Sequence, residues 1–106
     1  MRVANDGLTI RLNYLGSLRR HMGCRGEEFT VSRPVTVKAV LDRLVEIHGE
    51  ALTDIFYNQY GWLDPRLFFL VDEDGTLIRG TLESELGAGE PTEEVTLMLG
   101  MPMSGG

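Results

Sequence analysis

The chain has 106 residues, 42% of them hydrophobic and 25% charged, with a formal net charge of −6. That length allows one domain with no room for a second, no apolar stretch approaches the roughly 20 residues that span a bilayer, and the negative charge opposes the counterion release that drives nucleic-acid binding. One cysteine cannot build an intramolecular disulfide framework and "MRVANDG" lacks the apolar core of a secretory signal, so a cytoplasmic protein with neither membrane nor nucleic acid as partner is expected.

In "LTIRLNY", Leu8, Ile10, Leu12 and Tyr14 alternate with Thr9, Arg11 and Asn13, the period of a strand with one buried face. "LGSLRRHMGCRG" breaks that alternation, and its first half suits a short helical turn before Gly23 and Gly26 open a loop. The local group Arg19, Arg20 and Arg25 is followed by Glu27 and Glu28, a solvated face rather than an anion site. "EEFTV", with Phe29 and Val31 on one side, makes a second strand antiparallel to the first. After Pro34, Thr36 is placed to N-cap "VKAVLDRLVEIH", where Val37, Val40, Leu41, Leu44, Ile47 and His48 recur at helical spacing. Gly49 is placed to end that helix in a left-handed conformation.

"EALTDIFYNQYGWLDP" reads as irregular, with one further turn open to Leu52, Ile55 and Phe56 and its aromatics covering an edge of the core. "LFFLV" suits a strand, "DEDG" turns it and "TLI" returns, a hairpin. "TLESELGAGEPTE" sets Leu82 and Leu86 at a helical interval before dissolving into turn residues, and "EVTLML" alternates Val95, Leu97 and Leu99 with Thr96 and Met98. The order β, β, α, β, β, β, tail describes an α+β domain in which one amphipathic helix buries its stripe on the inner face of a mixed sheet. With the first and last strands side by side at the sheet centre, the tail projects from a rigid strand.

The chemistry of an enzyme is hard to find. "GAGEPT" lacks the third glycine and preceding strand of a dinucleotide loop, and no G-x-x-x-x-G-K-[ST] occurs. "DEDG" starts like a calcium loop, but Thr76 stands where a third ligand belongs and no glutamate follows at the required spacing, so a plain turn is expected. His21, Cys24 and His48 are one ligand short of a closed zinc site, and no metal is expected. His48 reads as a partly buried imidazole favoured by the helix dipole, and Cys24 as a loop cysteine without a role. The chain closes on "MPMSGG". A frayed end or a linker remnant would account for the two glycines; the functional alternative makes the carboxylate of Gly106 the working group.

The strand order, the "LGSLRR" turn, the pair Gly89-Glu90 before the last strand and the closing "SGG" together resemble the small β-grasp sulfur carriers, which include the small subunit of molybdopterin synthase and the thiamin-pathway carrier and share the ubiquitin fold. Where that group commonly has two prolines before its tail this chain has Met101-Pro102-Met103; Pro91, Thr92 and Glu93 look inserted, and "FYNQYGWLDPRLF" has no counterpart. The resemblance implies a ubiquitin-like β-grasp domain over residues 1–100 and a flexible tail over 101–106. It implies a non-catalytic carrier that binds no cofactor, with ATP used by an E1-like adenylyltransferase that adenylates Gly106. A rhodanese or cysteine desulfurase then supplies sulfur, giving a thiocarboxylate for an acceptor such as the molybdopterin synthase large subunit. Thiazole or cysteine synthesis, a ubiquitin-like modifier joined to a lysine amine, and a plain interaction domain are the rivals. Gly105, lacking a Cβ, would thread the partner's channel with Ser104, Met103 and Pro102. "LFFLV" is apolar on both faces, so Phe68 and Leu70, with Met98 and Met101, are expected to form a docking patch that reaches toward the tail. Alternatively, the segment from Tyr57 to Trp62 folds over that face.

Overall fold

The computed structural model describes residues 7–33, 35–73, 75–87 and 94–102. Alternation settles the first strand: in β1 (Gly7–Gly16) the side chains of Leu8, Ile10, Leu12 and Tyr14 are all buried. Gly16 hands the chain to the short helix α1 (Ser17–Met22), which buries Leu18, and β2 (Gly26–Ser32) returns antiparallel to β1 with Phe29 opposite Ile10. The return is tight because a Cβ on Gly26 would lie 2.0 Å from the Leu12 carbonyl oxygen, so only glycine fits there.

A two-residue strand, β3 (Val35–Thr36), leads into α2 (Val37–His48). The Thr36 hydroxyl accepts from the Ala39 N–H at 3.2 Å, as an N-cap does. The two preceding orphan donors of the helix, Val37 N–H and Lys38 N–H, reach the carbonyls of Ser84 and Leu82 at 3.0 and 2.9 Å. The segment around Leu82 is therefore a turn and not the helical turn its spacing suggests: Ser84 N–H donates back to the Thr81 carbonyl, and the carbonyls cap another helix. Leu86 then lies in β6 (Glu85–Leu86), which pairs with β3 as a small second sheet.

The buried stripe of α2 is Val37, Val40, Leu41 and Leu44. Ile47, expected to continue it, is 48% exposed. Gly49 ends the helix at φ 104 and ψ 164, a positive φ but not the left-handed helical conformation expected of it. What reads as irregular after it begins as a third helix, α3 (Ala51–Phe56), with Leu52 and Phe56 in the core.

β4 (Phe68–Glu73) and β5 (Thr76–Gly80) form the hairpin, with Glu73 opposite Thr76, and β7 (Glu94–Met101) completes the sheet. Its order is β2-β1-β7-β4-β5, with β7 parallel to β1 and antiparallel to β4. The last strand thus sits third of five, in the centre. The core lies between one face of this sheet, through Leu8, Ile10, Phe69, Val71, Leu97 and Leu99 among others, and the helices. Among the described residues no helix is long and apolar enough to cross a membrane.

Candidate functional site

Two features of β7 define the site: where it releases the chain, and what its outer face carries. The strand runs two residues further than "EVTLML" suggests, to Met101, which pairs with Gly16. Beyond it Pro102 is exposed, and its carbonyl accepts a hydrogen bond from the Ser17 hydroxyl at 3.1 Å. The exit is thereby tied to the first residue of α1, a helix that packs on the ends of both central strands. The expectations placed on Met103, Ser104, Gly105 and Gly106, and on Gly89, Glu90 and Pro91–Glu93, lie outside the described residues.

The sheet face turned away from the helices is divided. At the end remote from the exit, Arg11 donates to Glu28 at 3.1 Å and to Glu94 at 2.6 Å, an ion-pair bridge across β2, β1 and β7 with every partner about half exposed. At the exit end the face carries an apolar group flanked by the exposed Asn13 and Arg79. Leu70 stands opposite Met98, Phe68 stands opposite Gly100, and Leu15 flanks Gly100 from β1. The four side chains are partly exposed. Gly100 makes room for this arrangement, since a Cβ there would come within 2.5 Å of the Phe68 ring and 2.9 Å of the Leu15 Cβ. Leu77, 54% exposed, lies on the same face at the β5 edge but at the end remote from the exit, opposite Asp72 and in the row of Thr96 and Arg11. Leu15 and Leu77 escaped sequence reasoning, although each stands in the outward set of its strand and parity alone would have found them.

Met101 is a correction. Expected in the patch beside Met98, it is 5% exposed and belongs to the core. Because β7 continues through it, an offset of three residues from Met98 puts Met101 on the opposite face, with Leu97 and Leu99. The segment from Tyr57 to Trp62 does not cover the patch. Tyr57, Asn58, Gln59 and Gly61 share a groove with Lys38 and Asp42 of α2, on the helical side of the sheet.

His48 is held at a side-chain exposure of 30%, with Nε2 2.5 Å from Glu27 Oε2. The Tyr14 hydroxyl donates to the same oxygen, also at 2.5 Å, so Glu27 ties the C-terminus of α2 to β1 and β2. Burial first, then the Glu27 carboxylate, holds the Tyr14 phenol far above its usual range. The arrangement is a structural tie. Cys24 is an exposed free thiol, and Arg19, Arg20 and Arg25 are exposed, with Arg19 Nε donating to the Tyr14 carbonyl.

A mixed five-stranded sheet with its first and last strands parallel at the centre, and a helix across one face, is the ubiquitin-like β-grasp architecture. Solved structures bear this out. SAMP1 from Haloferax volcanii is similar at a TM-score of 0.71 and 26% identity, over 92% of this chain and 99% of that one. The small archaeal modifier protein 1 from Methanosarcina acetivorans is similar at 0.64 and 20% identity, over 96% and 100%, and the Haloferax volcanii HVO 2177 protein at 0.64 and 18%, over 100% and 93%. No protein-family model and no curated protein matches the sequence.

Proposed function

We propose that this chain is a ubiquitin-like carrier or modifier whose reacting group is the carboxylate of Gly106. The observation that carries the reading is the central position of β7, which delivers the chain at Pro102 from the best-supported strand of the sheet, four residues short of Gly106. A carboxylate is a poor electrophile, so it must first attack the α-phosphorus of ATP, forming a mixed anhydride with AMP and releasing pyrophosphate. A nucleophile then attacks the carbonyl carbon and AMP leaves. This sequence has neither common nucleotide loop, so an E1-like adenylyltransferase supplies the nucleotide site. The apolar group at the exit end of the outer face, with Phe68, Leu70 and Met98, is the surface that partner covers.

The identity of the nucleophile separates two readings. Persulfide sulfur delivered by a rhodanese or cysteine desulfurase displaces AMP to form an acyl disulfide, and a second thiol cleaves its S–S bond, being oxidised to a disulfide, to leave a thiocarboxylate; that makes the chain a carrier, with the molybdopterin synthase large subunit as the leading acceptor. A lysine amine gives an isopeptide and a modifier, and the likeness at 26% identity to a protein named as a small archaeal modifier favours it.

Pyrophosphate exchange with the cognate adenylyltransferase tests the shared first step. One residue added after Gly106 moves the reacting atom by up to about 3.5 Å, and about 1 Å of misplacement already costs on the order of 100-fold in rate. The extended chain and Gly105→Val lose exchange, while Cys24→Ser retains it. Undiminished exchange by the untrimmed extended chain would refute the proposal.

A further inference from the structure

Tyr60 and Trp62 are 75% and 72% exposed, yet the loop that carries them is held in place. Asn58 Oδ1 accepts from the N–H groups of Tyr60 and Trp62 at 2.8 and 3.0 Å, and Asn58 N–H donates to the Trp62 carbonyl at 2.8 Å. Tyr57 and Leu63 close the base of the loop as an antiparallel bridge. Two aromatic side chains are thus presented to solvent on backbone that is already ordered, which spares a partner the entropy of ordering it. Tyr and Trp are the residue types that most often anchor protein interfaces.

The loop borders a groove of about 600 Å³ between α2 and α3, lined by Asp42, Thr53, Asp54, Tyr57 and Gly61 among others. Charge says what the groove accepts. Between residues 37 and 66 every basic side chain is matched by a carboxylate: Lys38 by Asp42 at 3.2 Å, Arg43 by Glu46 at 3.3 Å, His48 by Glu27 at 2.5 Å and Arg66 by Asp64 at 2.9 Å. Glu50 and Asp54 are exposed and form no ion pair among the described residues, and Asp54 lines the groove itself, which leaves it an unmatched negative charge. The Tyr57 hydroxyl in the groove wall also lacks a hydrogen-bond partner there.

We propose that this groove, together with Tyr60 and Trp62 of the loop that borders it, docks an extended arginine- or lysine-bearing segment of a partner protein. The cationic head lies over an aromatic face and pairs with Asp54, and backbone amides of the segment run along the groove. The site is on the helical side of the sheet, opposite Phe68, Leu70 and Met98, so both surfaces can be engaged at once. It does not depend on the chemistry proposed for Gly106.

An NMR titration of the whole chain with a peptide of alternating glycine and arginine at low salt, against a glycine and glutamate control, tests the inference. The arginine peptide is expected to move the amides of Asp54 and Asn58–Leu63, and to change the fluorescence of Trp62, the one tryptophan of the sequence. The double variant Tyr60→Ala, Trp62→Ala weakens binding by at least about tenfold with the fold intact. Asp54→Asn weakens it about threefold and lowers its salt dependence. Unmoved loop amides, equal binding by the double variant, or equal shifts with the glutamate peptide would overturn the proposal. So would self-association in sedimentation that depends on Trp62, which would assign the loop to a second copy of the chain.

Discussion

Glu27 and Gly100 show how much can rest on a single position. Glu27 accepts from Tyr14 and meets His48 through one oxygen, so Tyr14→Phe removes one of two interactions and costs about 0.5–1.5 kcal/mol in urea unfolding. The same variant carries a pH signature. The folded state keeps the Tyr14 proton at pH values where the unfolded chain, with a tyrosine pKa near 10, has released it. The unfolded state then binds fewer protons, so stability is full below about pH 10 and falls as pH rises above it. Tyr14→Phe makes that alkaline decline shallower, and an unchanged slope between pH 9 and 11 (about one unit either side of the ordinary value) would show that Tyr14 is not its source. Gly100 acts through space instead of hydrogen bonding. Gly100→Ala forces a methyl group against the Phe68 ring and the Leu15 Cβ, and thermal or urea unfolding should register about 1–3 kcal/mol lost to overpacking.

The long elements could be read from the sequence because their periods are uninterrupted. Seven residues of alternation from Leu8 to Tyr14 and the spacing of Val37, Val40, Leu41 and Leu44 each identify a buried face. Short elements carry no such signal. The six residues of α3 offer a single turn of spacing in Leu52, Ile55 and Phe56, and β3 and β6 are two residues each. Leu82 and Leu86 show the converse error, an interval that looks helical in a segment whose carbonyls are taken by the N-terminus of α2. At that terminus Thr36→Ala removes the side-chain acceptor of Ala39 N–H and should cost about 1 kcal/mol, while the Leu82 and Ser84 carbonyls keep the helix from fraying further. The candidate patch was legible in part. Phe68, Leu70 and Met98 follow from parity along their strands, whereas Met101 was misplaced because the end of β7 is set by pairing with Gly16, a tertiary fact that its own side chain does not announce.

At the scale of the molecule the sheet separates two surfaces, and its central strand β7 ends at Met101. If Phe68 and Leu70 take the activating partner, Leu70→Asp should weaken that complex by more than about tenfold while leaving the buried set Leu97, Leu99 and Val71 on the other face undisturbed. Equilibrium binding to the adenylyltransferase, with thermal unfolding as the control for the fold, separates the two effects. The central claim concerns the fate of one carboxylate, and mass spectrometry of the C-terminal peptide from protein purified out of its native cell reads it directly. The account predicts Gly106 as a thiocarboxylate, heavier than the carboxylate by the difference between sulfur and oxygen, or as an isopeptide on a lysine of another protein. A C-terminal peptide that is a free carboxylate throughout, including in cells lacking the sulfur acceptor and the deconjugating protease, would contradict it.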